Sequence, residues 1–338
     1  MKDKQIQISN EQEKGKLGIA YLKHLWSSIL LEKQGVINEG THLKYNCVSA
    51  VFDALGIGIE PTYQFLYQEA PTFEAFEDWI LKNGTVSKEM IELVNSAISS
   101  SKHLSTYNDN APVLDDESLR HWDENGYVII RDVITKDNCD ASVKIIHEIL
   151  QIDPNDKSTW YQHHSLKQGI MVQLFRNQQL DKNRFSTKIR QVYQQLWNRN
   201  DLIVSADRVS FNPPENENYK FPGPDLHWDV SLKQPIPFGL QGLLYLTDTP
   251  EDQGAFTLVP GFHRKIDAWL EDLPKNVSPR TYDLHQLGAK PIAANAGDFI
   301  LWDHRLPHGS SPNTGKMPRI VQYINYLPLD RKLQTEWI

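Results

Sequence analysis

The chain has 338 residues, of which 40% are hydrophobic and 10% aromatic, a composition typical of a globular protein with a sizeable core. Its formal net charge is −8, and the absence of a basic block or a glycine-rich phosphate loop argues against nucleic-acid binding. No apolar stretch is long enough for a membrane span, and the N-terminus lacks the apolar region of a signal peptide. The two cysteines, Cys47 and Cys139, form neither a disulfide framework nor a metal-binding spacing. We therefore expect a cytoplasmic protein whose partner is a small molecule, not a nucleic acid or a membrane.

Residues 1–110 are predicted to form a helical extension without internal repeats. Apolar residues recur at helical spacing after Leu17, while Thr72 and Ser87 are each suited to cap a further helix. The polar stretch 99–110 is typical of a linker. The apolar stripes are more typical of a core than of cofactor contacts. The extension is expected to pack on the domain that follows, cover its site or form a dimer contact, and the sequence does not choose among these roles.

Residues 111–338 are predicted to form one mainly β domain with supporting helices. Short apolar runs alternate with Gly/Pro turns from residue 127 onward, which is typical of a sandwich or jelly roll. These predicted strands are 127–130, 170–175, 202–204, 239–246 and 256–259. The run from Thr135 to Leu150 is predicted to be a helix that supports the sheet, with Thr135 as its N-cap.

The tripeptide His-Trp-Asp at residues 227–229 is the first candidate for a metal site. Residues i and i+2 share a face on a strand but not on a helix. Proline-rich segments precede this tripeptide and exclude a helix, and residues 230–232 suit a strand edge. The same tripeptide at residues 121–123 lies in a charged segment with helical spacing, so its His and Asp cannot converge on one ion. Because the chain has 12 His, a His-x-Asp triplet is expected by chance about once. The prediction therefore rests on the local context and not on the tripeptide alone.

His308 is the candidate for a third ligand, with His304 and His263 as rivals. The strand predicted at 299–302 and a second one from Arg319 to Tyr326 flank a turn, and two neighbouring antiparallel segments can place His308 and Arg319 on one inward face. A buried arginine is costly unless an anion meets it, and its planar fork suits a carboxylate; a surface arginine is the alternative. Two imidazoles and one carboxylate are the ligand set of the facial triad that holds non-haem Fe(II).

In their order and spacing these motifs resemble the phytanoyl-CoA dioxygenase family of Fe(II)/2-oxoglutarate-dependent oxygenases, over roughly residues 113–328. The motifs that carry the resemblance are the run 119–134, His227 with Asp229, Gly254, the run 259–264, Gly297 with Asp298, and the run 308–310 with an arginine after it. The resemblance implies a double-stranded β-helix core, a cupin-like jelly roll. It also implies Fe(II) held by His227, Asp229 and His308, O₂ as a reactant, and 2-oxoglutarate whose distal carboxylate binds Arg319.

Five further residues are candidates for contacts with the co-substrate or the substrate. Ser310 and Gln173 are candidates for the co-substrate, and Trp228, Gln241 and Arg176 for the substrate. The two glutamines are predicted to lie in strands, where a buried amide needs partners, although ordinary cross-strand hydrogen bonds explain them too. The family often has Gln where Trp228 stands, so the tryptophan would reshape the pocket. A turn explains Ser310 equally well, and a solvated loop explains Arg176.

The resemblance implies that 2-oxoglutarate is converted to succinate and CO₂ while the substrate is oxidised. The carboxylate of Asp229 favours hydroxylation or another halide-free oxidation, because related halogenating enzymes have Gly or Ala there. We expect hydroxylation of an unactivated carbon of a small polar metabolite, such as an amino acid or its derivative. A lipid or acyl-CoA ester is the main alternative, since the aromatic stripe in residues 17–80 could line an acyl channel. Alternatives of another class are a cupin-like metal enzyme without 2-oxoglutarate and a non-catalytic jelly-roll binding protein. Neither regiochemistry nor oligomeric state follows from the sequence.

Overall fold

A computed structural model describes residues 6–36, 45–99, 112–328, 331, 334 and 336–338. Its α-helices are α1 (Leu22–Lys33), α2 (Tyr45–Ala54), α3 (Ile59–Glu69), α4 (Phe73–Asn83), α5 (Lys88–Ser99), α6 (Asp116–Asn125), α7 (Lys136–Leu150), α8 (Gln178–Arg184), α9 (Thr187–Trp197) and α10 (Ile266–Asp272). Its strands are β1 (Tyr127–Ile130), β2 (Lys167–Gln168), β3 (Met171–Val172), β4 (Leu202–Val204), β5 (Val209–Asn212), β6 (Leu240–Tyr245), β7 (Phe256–Leu258), β8 (Lys290–Ile292), β9 (Phe299–Asp303), β10 (His308–Gly309), β11 (Arg319–Tyr323) and β12 (Tyr326–Pro328). No helix among these residues is long and apolar enough to cross a membrane.

The chain divides into two compact units. The first comprises Met1–Asn108, Asn198–Ala206 and Tyr326–Arg331, and the second comprises Asp109–Trp197, Asp207–Asn325 and Lys332–Ile338. Residues 100–110 of the predicted linker lie outside the described residues, as does the side chain of Cys47. The domain boundary at residue 110 therefore stays a prediction.

The first unit is built mainly from α1 to α5. Thr72 caps α4 by accepting a hydrogen bond from the backbone N–H of Ala75 at 3.2 Å, as the sequence predicts. The antiparallel pair of β4 and β12 adds a short ladder to this unit. Leu25 and Ile29 of α1 are fully buried, together with Phe52, Phe76 and other apolar side chains of the same unit. The apolar stripes of the extension thus form a core, as their spacing indicates.

The second unit contains two antiparallel sheets. The larger sheet has the strand order β1-β9-β6-β11-β5-β3-β2, and the smaller has the order β10-β7-β8. Buried side chains from both sheets, including Tyr245, Phe256, Ile300 and Trp302, belong to one hydrophobic cluster. Two antiparallel sheets around a shared core form a jelly roll, so the predicted double-stranded β-helix is confirmed.

Two predicted helices of this unit are bounded by residues suited to cap a helix. Thr135 caps α7 by accepting from the backbone N–H of Asn138 at 3.3 Å. The first His-Trp-Asp tripeptide lies in α6, which begins after the N-cap Asp115 and ends at Gly126, a glycine with φ of 76°. Its histidine and aspartate therefore lie on different faces of a helix, as predicted.

The strand predictions around the candidate site need three corrections. The strand predicted over residues 170–175 is limited to β3, and the strand predicted from Arg319 to Tyr326 is divided between β11 and β12. The prediction that the segments at 299–302 and 319–326 are neighbouring strands is also wrong, because β6 lies between β9 and β11. His308 lies on β10 in the smaller sheet, whereas Arg319 lies on β11 in the larger one. Sequence order suggested adjacency, but the chain passes from the larger sheet at β9 to the smaller sheet at β10 and back to the larger sheet at β11.

Candidate metal centre

His227, Asp229 and His308 lie together in the second unit. Their nearest ligand atoms all lie within 4.8 Å of one another. An isolated antiparallel bridge joins the two histidines through backbone hydrogen bonds of 2.9 and 3.0 Å, so it attaches the loop at residue 227 to β10. Asp229 follows two residues later, and its two carboxylate oxygens lie 3.2 Å from Nε2 of His227 and 3.2 Å from Nε2 of His308. The arrangement offers two imidazole nitrogens and one carboxylate to a single ion.

The two imidazole rings are oriented by backbone carbonyls. Nδ1 of His227 lies 2.6 Å from the carbonyl oxygen of Asp225, and Nδ1 of His308 lies 2.9 Å from that of Leu306. Because a carbonyl oxygen can only accept, each Nδ1 carries a proton and donates it. Each Nε2 is then the atom presented to a metal, which is the arrangement that outer hydrogen bonds impose on most metal-binding histidines.

Electrostatics within the cluster favour the ionised carboxylate. Burial alone would raise the pKa of Asp229, but its hydrogen bonds with His227 and His308 outweigh burial, and the pKa lies well below its ordinary value. Burial alone would lower the pKa of His227, but its hydrogen bond with Asp229 and the attraction between them raise that pKa above its ordinary value. The charge of the carboxylate therefore already attracts a cation to this place.

A close backbone approach fixes the carbonyl that orients His227. A Cβ atom on Gly309 would lie only 2.5 Å from the carbonyl oxygen of Asp225. Any other residue at this position of β10 would displace that carbonyl. The glycine after His308 thus has a steric role that its place in the sequence does not reveal.

Arg319 is fully buried beside the cluster and has unused hydrogen-bonding capacity. Its Nη2 donates to the hydroxyl oxygens of Ser210 at 3.0 Å and Ser310 at 3.1 Å. Its Nε and Nη1 are buried without a partner, and no carboxylate of the described residues forms an ion pair with it. Burying a guanidinium without an anion is costly, and its planar fork matches a carboxylate. The residues present therefore fit a bound carboxylate such as that of 2-oxoglutarate.

A cavity of about 260 Å³ adjoins the three candidate ligands. Among the residues predicted from sequence, Ser310 and Gln241 line it as well. The amide nitrogen of Gln241 donates to the carboxylate of Asp229 at 2.8 Å, while its amide oxygen is buried without a partner. The remaining lining residues are Met171, Asp207, Arg208, Pro224, Gly242, Phe256, Trp302, Gly309, Tyr323 and Asn325.

Four predicted site residues are not among the described residues that line this cavity, and one of them, Arg319, contacts the lining residue Ser310. Trp228 is buried on the opposite side of its loop, where its Nε1 donates to the carbonyl of Arg305 at 2.9 Å. Arg176 pairs with Asp181 at 3.2 Å, and the amide of Gln173 donates to Gln168 at 2.7 Å just after β3 ends.

Sequence reasoning missed Asp207 and Arg208, because it predicted no strand at residues 209–212. Had β5 been predicted, the alternation of side chains along a strand would have placed Arg208 on the same face as Ser210, toward the cavity. The rival histidines lie elsewhere: Nε2 of His304 contacts the carbonyl of Pro237 at 2.7 Å. Nε2 of His263 contacts the carbonyl of Asp123 at 3.2 Å.

A jelly roll that brings two imidazoles and a carboxylate together beside a buried, unpaired arginine is typical of the Fe(II)/2-oxoglutarate-dependent oxygenases. The sequence profile of the phytanoyl-CoA dioxygenase (PhyH) family matches residues 122–321, which is more than half of the chain. The chain therefore belongs to the phytanoyl-CoA dioxygenase family. Like that family, it is an Fe(II)- and 2-oxoglutarate-dependent oxygenase.

The chain is also similar to individual proteins. A Dictyostelium discoideum protein named "Putative phytanoyl-CoA dioxygenase" is 27% identical over 258 residues, which are 61% of this chain and 74% of that protein. Among solved structures, the iron-bound EctD of S. alaskensis is 18% identical, with a TM-score of 0.49 over 68% of this chain and 83% of its own. The non-haem α-ketoglutarate-dependent carbocyclase SnoK of nogalamycin biosynthesis is 19% identical, with a TM-score of 0.46 over 67% of this chain and 90% of its own.

Proposed function

We propose that this oxygenase hydroxylates an unactivated carbon of a small polar metabolite, an amino acid or a derivative, and releases succinate and CO₂. His227, Asp229 and His308 hold Fe(II) in this proposal, and Arg319 with Ser310 binds the distal carboxylate of 2-oxoglutarate. The observation that carries it is the cavity of about 260 Å³, which joins the three candidate ligands to a wall of polar side chains. The cytoplasmic location and the domain boundary at residue 110 remain predictions.

The side chains around the metal site have different roles in this proposal. Iron with 2-oxoglutarate and O₂ supplies the oxidising power, and the protein orients the substrate and excludes water. Gln241 fixes one oxygen of Asp229 by donating to it, and its unpartnered amide oxygen is available to a donor of the substrate. Phe256 and Trp302 supply the apolar part of the wall, which limits the water that reaches the reacting carbon.

Two observations favour a small substrate over a long acyl ester. The cavity volume of about 260 Å³ lies just below the range of about 300–1,000 Å³ that is usual for ligand pockets. The aromatic side chains considered as the lining of an acyl channel belong to a hydrophobic core instead. Tyr21, Phe73 and Phe76 are buried in the core of the first unit, and Trp79 packs against that core.

The test is a screen for substrate-stimulated succinate formation. The full chain is incubated with Fe(II), 2-oxoglutarate and O₂, and succinate is measured with free amino acids, their derivatives and acyl-CoA esters. We expect stimulation by a member of the first two groups. Strong stimulation by acyl-CoA esters alone would overturn the substrate class. A turnover that needs metal but not 2-oxoglutarate would identify a cupin-like enzyme instead, and metal binding without any turnover would indicate a binding protein.

A further inference from the structure

We propose that Arg208 and Asp207 form a subsite for a zwitterionic substrate, in which Arg208 binds a carboxylate and Asp207 the neighbouring ammonium group. The inference rests on the proposed function, because it names the substrate class for the same cavity. Both residues line the cavity that adjoins His227, Asp229 and His308. The chemical class is a small molecule that carries both charges close together, as an α-amino acid does.

The strand ladder separates this subsite from the arginine assigned to the co-substrate. Arg319 pairs with Asn212 at one end of the β5/β11 ladder, and the carbonyl of Arg208 accepts from the backbone N–H of Tyr323 at 3.0 Å at the other end. Tyr323 lies four residues after Arg319 along the strand, which corresponds to roughly 13 Å of backbone. Arg208 lines the cavity itself, whereas Arg319 donates to the lining residue Ser310. Two carboxylates can therefore be bound by two arginines without competing for the same guanidinium.

Arg208 has hydrogen-bonding capacity that the described residues do not use. Its side chain donates to none of them, and its Nε is buried without a partner. The one described carboxylate in ion-pair range is that of Asp207, at 3.9 Å from Nε, which is beyond hydrogen-bonding distance. The guanidinium carbon lies 5.9 Å from the ring centroid of Phe175, a distance at which a cation–π attraction acts between the two groups. A planar fork held in this way suits a carboxylate that accepts two hydrogen bonds.

Asp207 is positioned by other groups beside this fork. Its carboxylate accepts from the backbone N–H of Arg208 at 2.8 Å and from the amide of Asn325 at 3.1 Å. The amide oxygen of Asn325 is in turn fixed by the backbone N–H of Gly242 at 2.9 Å. A phosphate or another dianion on Arg208 would meet repulsion from Asp207, whereas an ammonium group next to the bound carboxylate is attracted. The charges of the pair therefore select a zwitterion.

The experiment compares carboxylates with their amides on the full chain. The probes are the free L-α-amino acids and the α-amides of the same amino acids, each added to Fe(II), 2-oxoglutarate and O₂, with succinate as the readout. We expect stimulation by at least one free amino acid, with its amide weaker by roughly tenfold or more in KM, since the amide loses a charge-assisted pair. Equal KM values for an acid and its amide would overturn the inference.

Variants of Arg208 then assign the effect to this residue. Arg208→Gln should raise the KM for the amino acid by roughly ten- to hundredfold, and Arg208→Lys by less, because lysine keeps the charge but loses the fork. The matched control is Arg199→Gln, another partly buried arginine, whose carboxylate partner Asp201 lies outside the described cavity lining. The control should leave the KM for the amino acid unchanged.

The remaining outcomes separate the subsite from the oxygenase chemistry. If Arg208→Gln and Arg208→Lys raise the KM for 2-oxoglutarate more than that for the amino acid, Arg208 serves the co-substrate and the inference is wrong. If the wild-type protein converts 2-oxoglutarate to succinate but no amino acid stimulates it, the subsite is wrong and the oxygenase chemistry stands. If it converts no 2-oxoglutarate at all, the proposed function fails, and the subsite fails with it.

Discussion

The imidazole rings of His227 and His308 owe their orientation to main-chain atoms. Both Nδ1 atoms donate to carbonyl oxygens two residues earlier in the chain, those of Asp225 and Leu306. Such contacts depend on backbone path and not on the identity of a neighbouring side chain, so a sequence motif cannot reveal them. The ligand types could be predicted from the sequence because only certain side chains bind iron well. Their tautomers and the role of Gly309 could not.

The two His-Trp-Asp tripeptides provide a matched test of the metal ligands. Asp229→Ala should abolish stoichiometric Fe(II) binding, because it removes the carboxylate that both imidazoles approach at 3.2 Å. Asp123→Ala is the control, since Asp123 lies on α6 with an exposed side chain. Iron content after anaerobic loading, measured by a colorimetric chelator, should be near zero in the first variant and equal to wild type in the second. Full iron content in Asp229→Ala would refute the assignment.

The buried guanidinium of Arg319 predicts a selective effect on the co-substrate. Arg319→Lys keeps the charge but loses the planar fork, and the loss of a charge-assisted hydrogen bond of about 1.5–3 kcal/mol weakens 2-oxoglutarate binding roughly ten- to hundredfold. Isothermal titration of the anaerobic Fe(II) protein with 2-oxoglutarate measures this affinity. Arg120→Lys on α6 is the control and should bind like the wild type. If Arg319→Lys does so too, another residue holds the carboxylate.

At the level of elements, the sequence predicted local structure better than the pairing of distant segments. Helix α6 with its Asp115 and Gly126 caps, and α7 with its Thr135 cap, follow from side chains within one turn of each helix end. The assignment of β10 to the smaller sheet and of β11 to the larger depends on contacts between residues far apart in sequence. Local periodicity holds no information on that choice. Because β5 was not predicted, Arg208 was not identified as a cavity residue.

One arginine contacts the backbone on both sides of Asp229, a candidate metal ligand. Arg280 lies in a short 3₁₀ turn, Pro279–Thr281, and donates to the carbonyls on either side of the ligand. Its Nη1 lies 2.9 Å from the oxygen of Trp228, and its Nη2 lies 2.5 Å from that of Val230. A guanidinium bridges two carbonyls in a fixed geometry, whereas an ammonium group cannot span both in the same way. Arg280 thus acts as a positioning residue for the loop of Asp229.

Arg280→Lys should therefore weaken Fe(II) binding by roughly tenfold, the low end of the range for outer groups that orient metal ligands. Anaerobic competition with a chelator of known affinity measures the change. The thermal midpoint of the metal-free variant, compared with that of the metal-free wild type, separates loss of positioning from general destabilisation. Arg264→Lys, an exposed arginine near Asp123, is the control. Equal metal affinity in all three proteins would show that the loop keeps its geometry without Arg280.

For the whole molecule, the sequence predicts one division of the chain near residue 110, whereas each of the two compact units of the structure is assembled from several segments. The change from helical to strand-like periodicity near residue 110 indicated a division. The first unit also contains residues 198–206 and 326–331, because β4 pairs with β12 there. Both strands appeared from the sequence to belong to the jelly roll, and their apolar residues would suit either core. All residues that line the metal cavity belong to the second unit, so the ligand set and the cavity are features of one compact body.

Metal binding should accordingly stabilise the folded protein as a whole in a way that depends on the three ligands. A ligand that binds the folded state alone adds about 2.7 kcal/mol at a free concentration of 100 times its Kd, which raises the thermal midpoint by roughly 5–10 °C for a domain of this size. Differential scanning fluorimetry under anaerobic conditions, with and without Fe(II), measures the shift, and EDTA should reverse it. Asp229→Ala should show no shift, whereas Asp123→Ala should shift like the wild type. The same rise in Asp229→Ala as in the wild type would place the stabilising ion elsewhere on the protein.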